Sequence, residues 1–164
     1  YPAVDPIDSY SKYLEYPEFK KYMAENISAQ WVENALDMKN YMLRGKEAFD
    51  QINILGDDGV PVDFHIQYWK SELIDFVILQ QDAFDAIDQI TPVKRQLYMN
   101  ELVLGICRQD FSFENFNNVR PFFRKLINML KQMNYSEFQS AAFKSYEAEL
   151  HNSITVQKEL LTET

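Results

Sequence analysis

Gln80, Gln81 and Phe84 bring two carboxamides and an aromatic ring together just past the end of a helical apolar stripe. That combination can hold a planar heterocycle: the ring stacks on its face while an amide pairs with its edge. The same residues also read as packing, because an aromatic at a helix end often folds back onto its own domain. Gln80 is in register with Trp69, Leu73 and Phe76, so its amide is expected to be partly buried and to need hydrogen-bond partners. On residue types alone both readings stay open.

The other chemistry-bearing residues form no comparable set. Asp82, Asp85 and Asp88 follow one another at three-residue spacing, but a calcium loop needs a glycine at its sixth position and a glutamate at its twelfth. Val93 stands where that glutamate would be. The three acids read as caps of a solvated turn. His65 and His151 lie far apart, and no Cys-x-x-Cys or His-x-x-x-His pattern offers zinc ligands. Cys107 has no local base signature; it reads as a small buried hydrophobe, with a nucleophilic thiol as the alternative. Arg120, Arg124, Lys125 and Lys131 gather in an otherwise acidic chain. They form either a docking face for an acidic partner or a solvated face opposite Phe122, Leu126 and Leu130. No Gly-x-x-x-x-Gly-Lys-Ser/Thr phosphate loop occurs. The expected catalytic and metal-ligating residues are therefore none.

Helices must position the amide and aromatic set. After Ser28, a plausible N-cap, the residues Trp31, Ala35, Met38, Met42, Gly45, Phe49 and Ile52 recur at four-three spacing. That is the seam of a long helix, and Gly45 on it points to a close helix–helix approach. Gly56-Asp57-Asp58-Gly59-Val60-Pro61 is the clearest break, and Pro61 opens the next helix. Its stripe of Val62, Ile66, Trp69, Leu73, Phe76 and Gln80 is widened by Tyr68, Ile74, Val77 and Ile78, so this helix should be central. Thr91-Pro92 caps a helix running to about Cys107. Another carries Val119, Phe122, Phe123, Leu126, Ile127, Leu130 and Met133, with Pro121 in its first turn. Ser136 with Gln139 forms a capping box for the last helix, whose pattern weakens beyond His151. No segment alternates with the two-residue period of a strand. The expectation is an all-α helical bundle of about six helices. Residues 1–16 form a lead-in segment, 17–150 the bundle, with its first helix opening at Pro17, and 151–164 a frayed or disordered tail.

Bulk properties agree. The 164 residues suit one domain, and 46% hydrophobic with 15% aromatic residues is ample for a core. The net charge of −9, from 25 acids against 16 bases, argues against nucleic acid and against direct contact with an anionic membrane surface. A single cysteine excludes an internal disulfide and fits a reducing compartment. No apolar run reaches the ~18 residues of a membrane span, and no secretory signal is visible. The chain opens on Tyr1-Pro2-Ala3-Val4 without a methionine, as a piece processed or excised from something longer would.

The spaced motifs resemble one family. Leu79-Gln80-Gln81-Asp82-Ala83-Phe84-Asp85, followed by Pro92-Val93-Lys94-Arg95-Gln96-Leu97-Tyr98-Met99, looks like the C-terminal domain of the catalytic A subunit of V-type rotary ATPases. In that family a helix runs into Leu-Gln-Gln-Asn-Ala-Phe or -Tyr and an acidic turn. Tyr1-Pro2-Ala3-Val4, Ser9-Tyr10-Ser11 and the Gly56–Pro61 turn stand where the family has Phe/Tyr-Pro-Ala-Ile, Ser-Tyr-Ser and a Gly-Pro-Asp-Ala-Leu-Pro turn. Asp82 departs from the family's Asn, and Asp88-Gln89-Ile90 lacks its usual Cys.

The resemblance implies an ATP-driven, ion-translocating parent subunit that binds ATP or ADP with Mg in another domain. This piece would hold neither nucleotide tightly nor turn it over alone. Phe84 would contact adenine, with Gln80, Gln81 and Ala83 lining the pocket. Implied partners are the B subunit and the central stalk, with no nucleic acid and no membrane insertion. The implied location is peripheral, on the cytoplasmic face of the membrane. The alternative is a free-standing helical protein–protein interaction module without a nucleotide role.

Overall fold

The computed structural model describes residues 29–79 and 93–162. Among them the chain forms five α-helices, two short 3-10 turns and one π turn, with no strand. The all-α reading therefore holds. The helix expected from Pro17 and the lead-in segment 1–16 lie outside the described residues.

Helix α1 spans Ala29–Leu55 and α2 spans Val62–Ile74. Between them Gly56 adopts φ 84° and its N–H donates to the Ile52 carbonyl at 2.7 Å, closing the C-terminus of α1 in the left-handed conformation that glycine adopts without a Cβ penalty. A 3-10 turn at Asp57–Gly59 follows, and Pro61 stands at the N-cap of α2. The connection folds α2 back antiparallel to α1, with Gly45 facing Ser71 and Phe49 stacked on Tyr68 at 5.2 Å.

The seam of α1 is partly as the spacing predicts. Ala35 and Met38 are fully buried and Gly45 is buried too. Further along, Ala48 takes the inward position and Phe49 is 42% exposed. A straight helix of 3.6 residues per turn drifts about 20° per heptad, so a strict seven-residue stripe rotates off the contact line.

Helix α2 is central: it packs against α1, against α3 (Val93–Cys107) and against α4 (Val119–Tyr135). Its most buried face is Ile66, Lys70, Leu73, Ile74, Val77 and Ile78, the last two in the π turn Asp75–Leu79 that continues the helix. Trp69 and Phe76, expected on the seam, flank the core and are only partly buried.

Helix α4 inserts Val119, Phe123, Leu126, Leu130 and Met133 at three-four spacing, all 0% exposed. It packs against α5, Ala141–Thr162, which contributes Phe143, Leu150 and Ile154. Two results differ from the sequence reading. Ser136 does not cap α5: its hydroxyl turns back to the Gln132 carbonyl at 2.8 Å. Ser140 accepts the Phe143 N–H at 3.2 Å instead. The reason is local, because Gln139 sits at φ 61° and the helix cannot begin before it. Nor does the helix stop where the pattern weakens at His151, since Ile154 lies one turn beyond Leu150 and is buried with it.

Gly45 and Gly105 give opposite expectations. A Cβ at Gly45 would lie 2.0 Å from Ser71 Oγ and 2.2 Å from Ser71 Cβ, whereas one at Gly105 meets nothing within 4 Å. Overpacking costs about 1–3 kcal/mol, while replacing an unhindered helical glycine by alanine stabilises by about 1 kcal/mol. In urea titrations, Gly45→Ala should lower the midpoint and Gly105→Ala should raise it.

Candidate functional site

Gln80, Gln81, Ala83 and Phe84, like the acids Asp82, Asp85 and Asp88, lie outside the described residues. The described chain reaches that segment at Leu79 and resumes after it at Val93. Its outgoing side is the π turn Asp75–Leu79; its returning side is the start of α3.

Both sides are tied to one place, the C-terminus of α4. The last carbonyls of a helix have no partner within it and carry the negative end of its dipole. Arg95, in the first turn of α3, fills that need. Its Nη2 donates to the carbonyls of Met133 at 2.9 Å and Ser136 at 2.8 Å, and also to that of Asn134. Asn134 in turn reaches the outgoing side, its Nδ2 donating to the Val77 carbonyl at 3.3 Å. Lys131, one turn earlier on α4, holds its ammonium 4.8 Å from the centre of the Phe76 ring.

A π turn leaves carbonyls displaced from regular helical pairing, which makes Val77 O available to an outside donor. Sequence reasoning did not single out Arg95 or Asn134 as anchors. Arg95 stands in a helix-start motif and Asn134 two residues before the end of the α4 pattern, but only packing shows that they meet.

One turn past Arg95, Tyr98 donates its hydroxyl to Glu147 of α5 and lies among Phe138 and Phe143. The hydrogen bond to Glu147, then burial, pushes the Tyr98 phenol up to about 12. On α2, burial first and the adjacent Glu72 second push the Tyr68 phenol up to about 12. Burial also raises the Glu72 carboxyl above the usual carboxylate range, and Asp75 adds to it.

The remaining candidates have structural surroundings. Cys107 is 1% exposed, with its Sγ directed at the Lys70 carbonyl at 3.7 Å. Burial pushes its thiol up to about 12, so it is not a thiolate at neutral pH. Lys70 is itself 5% exposed; its ammonium donates to the Gln109 carbonyl at 2.9 Å and faces the Phe111 ring. Burial lowers its pKa. His65 is buried against Phe116, its Nε2 donating to the Asp57 carbonyl at 3.0 Å. Arg120, Arg124 and Lys125 are exposed on α4. A groove of about 680 Å³, lined by Phe113, Phe122, Lys125, Val156 and Leu160 among others, lies toward the other end of α4 and includes neither Arg95 nor Asn134. Among the described residues no cluster of three His, Cys, Asp or Glu side chains could hold a metal ion. No described helix is long and apolar enough to cross a membrane.

Among the described residues the all-helical fold defines a helical domain built around the central helix α2 and the π turn that continues it. Comparison with known proteins gives it a family. The chain is 37% identical over 145 residues to a V-type ATP synthase alpha chain of Chlamydia caviae, covering 88% of this chain and 24% of that protein. It is 32% identical over 158 residues to that of Borrelia duttonii, covering 96% and 25%. It is 31% identical over 163 residues to that of Treponema denticola, covering 99% and 26%. The chain belongs to the V-type ATP synthase alpha-chain family, and it spans about a quarter of the length of the relatives it matches. No family model and no solved structure matches it significantly.

The buried thiol generates a two-part expectation. In the native protein Cys107 should stay unreactive toward an aromatic disulfide reagent at pH 8 and react only on unfolding. Its folded pKa of about 12 lies above the ordinary 9.0, so the unfolded chain gives up the proton first. Its contribution to stability is complete below pH 9.0 and lost as pH rises toward 12. Thermal melts from pH 9 to pH 11 should therefore fall less steeply for Cys107→Ala than for the wild type. Lys70, whose pKa burial lowers, opposes that fall.

Proposed function

We propose that this chain is the C-terminal helical domain of the catalytic subunit of a V-type ATP synthase or ATPase. It serves as the lever through which ATP hydrolysis or synthesis is coupled to rotation and to proton or sodium transport. The observation that carries this reading is the similarity to V-type ATP synthase alpha chains along 88% to 99% of the chain. The sequence has no phosphate loop, so Mg and the phosphates of ATP or ADP are assigned to the remainder of the subunit. The isolated chain is accordingly inactive. Its proposed partners are the B subunit and the central stalk, on the cytoplasmic face of the membrane, with the complex held there through other subunits.

This chain's own part at the nucleotide is the base end. Phe84 stacks on adenine, and Gln80, Gln81 and Ala83 line the pocket beside it. Stacking on an aromatic ring costs no charge and accepts any planar base; the amides supply directional pairing. As a lever, the bundle does work only through contacts that differ between nucleotide-bound and empty states. Two features support stiffness: the tight α1–α2 approach at Gly45 and the core that continues from α2 into α4 and α5. A stiff element passes a displacement from one end to the other, where a loose one would absorb it.

Steady-state kinetics of the full subunit in its complex test the base contact. Losing a base–aromatic stack costs about 1–3 kcal/mol. Phe84→Ala should therefore raise the apparent KM for ATP by about tenfold. Kinetics identical to the wild type would refute the adenine role.

A further inference from the structure

The groove beside the start of α4 has no part in the function proposed above. Its α4 wall is formed at positions 118, 121, 122 and 125, and its α5 wall at 152, 153, 156, 157 and 160. Both sets have the three-four spacing of a helix face that packs against another helix. Phe113 and Phe122 line it 5.5 Å apart, and Phe122 is in ring contact with the buried Phe111 and Phe123. The end of α5 is unusual here. Ile154 is buried, yet the helix runs on to Thr162, and none of residues 155–160 is buried. Val156 and Leu160, one turn apart and both lining the groove, are 45% and 58% exposed. Helical stability comes mostly from packing an apolar face, and among the described residues this face has nothing on it.

We propose that this groove is the docking site for an acidic amphipathic helix of a partner protein chain, which lays an apolar stripe against Phe122, Val156 and Leu160 and sets carboxylates against α4. The proposal uses none of the residues read as the adenine contact and stands apart from that reading.

Charge identifies the occupant. The chain carries 25 acids against 16 bases, but α4 reverses that balance: it holds Arg120, Arg124, Lys125 and Lys131 and no acid at all. Lys125 is exposed and lines the groove, with Arg124 exposed beside it. The first turn of α4 has no acidic residue, and its N-cap, Asn118, makes no side-chain capping bond. The positive end of the α4 dipole thus faces the groove without a carboxylate from this helix to offset it. Lysine and dipole have the same sign, and together they favour an acidic partner over a basic one. Glu114 is the one acid of the lining; it precedes α4, while Lys125 lies about two turns into the helix, so the two charges give a docked segment a direction. Spacing identifies its shape. The α5 wall from position 152 to 160 is about 12 Å long at 1.5 Å per residue, which matches about two turns of a helix laid between α4 and α5.

Photocross-linking of the full subunit in its assembled complex tests the proposal. Val156, an exposed position, is replaced by p-benzoylphenylalanine, and the peptide joined to it on irradiation is sequenced by mass spectrometry. The expected result is a peptide of another protein chain, with more acids than bases and apolar residues at three-four spacing. A fluorescein-labelled synthetic copy of that peptide is then titrated with the full subunit freed of its partners. Leu160→Ser should weaken binding about fivefold or more, and Lys125→Glu about threefold or more. Added salt should weaken binding to the wild type and narrow its difference from Lys125→Glu.

Both substituted side chains are exposed, so melting temperatures should stay at the wild-type value; where Leu160→Ser melts lower, Lys125→Glu decides. Four outcomes overturn the proposal: no protein cross-link, a cross-link to residues 1–28 of this chain or to a second copy of it, a cross-linked segment without an excess of acids or without helical spacing, or wild-type affinity in both variants. None of them touches the adenine role of Phe84, which the kinetics of Phe84→Ala test separately.

Discussion

Burial of α2 on three sides is the constraint on which the rest of the structure depends. Ile66, Leu73, Ile74, Val77 and Ile78 are buried along the helix and its π turn, while Glu72 and Asp75 between them stay partly exposed. Each such side chain gains about 1.5–3 kcal/mol on leaving water, and only neighbours on several sides can remove them all from it. Helices α1, α3 and α4 are those neighbours. The approach of α1 sets the tightest tolerance, since Gly45 leaves room for the Ser71 side chain and little else.

A helix buried this completely cannot easily satisfy polar groups, and the structure shows where the exceptions go. Lys70 turns its ammonium to the Gln109 carbonyl past the end of α3. Arg108 pairs with Asp37 at 2.5 Å and with Asn34 at 3.1 Å, tying the end of α3 to α1. Arg95 and Asn134 do the corresponding work at the opposite end of α3. Both ends of α3 are thus fixed by charged side chains bound to helix termini or neighbouring helices, while its middle is fixed by Val103, Leu104 and Ile106 in the core. Apolar burial sets the stability, and these directional ties set the orientation.

That division gives the described helices one close-packed core with oriented ends. The aromatic clusters extend the same rigidity outward. Phe111, Phe113, Phe122 and Phe123 interlock at one end, and Tyr98, Phe138 and Phe143 at the other, with ring centres 5.3 to 6.5 Å apart. Edge-on and tilted contacts of this kind favour particular relative orientations as well as burial.

Helical period was legible in the residues because it is a local property. Spacing, with the turn and cap residues, placed the bodies of α1 through α5, the Gly56 turn and the close approach at Gly45, since each depends on residues within a turn or two of one another. The buried state of Cys107 was legible from its residue type, because a free cysteine with no base nearby packs as a small hydrophobe. The side chain that caps α5, the register that swaps Ala48 for Phe49, and the meeting of Arg95 with Asn134 were not. They depend on where another helix lies, or on a backbone dihedral that residue type does not dictate. The likeness of the motif around Gln80 and Phe84 to a known family was readable from a few residues in order. The ties that join the end of α4 to the π turn after α2 and to the start of α3 exist only in the tertiary structure, because hydrogen bonds spanning 38 to 57 residues of chain are made by packing and carry no local signature.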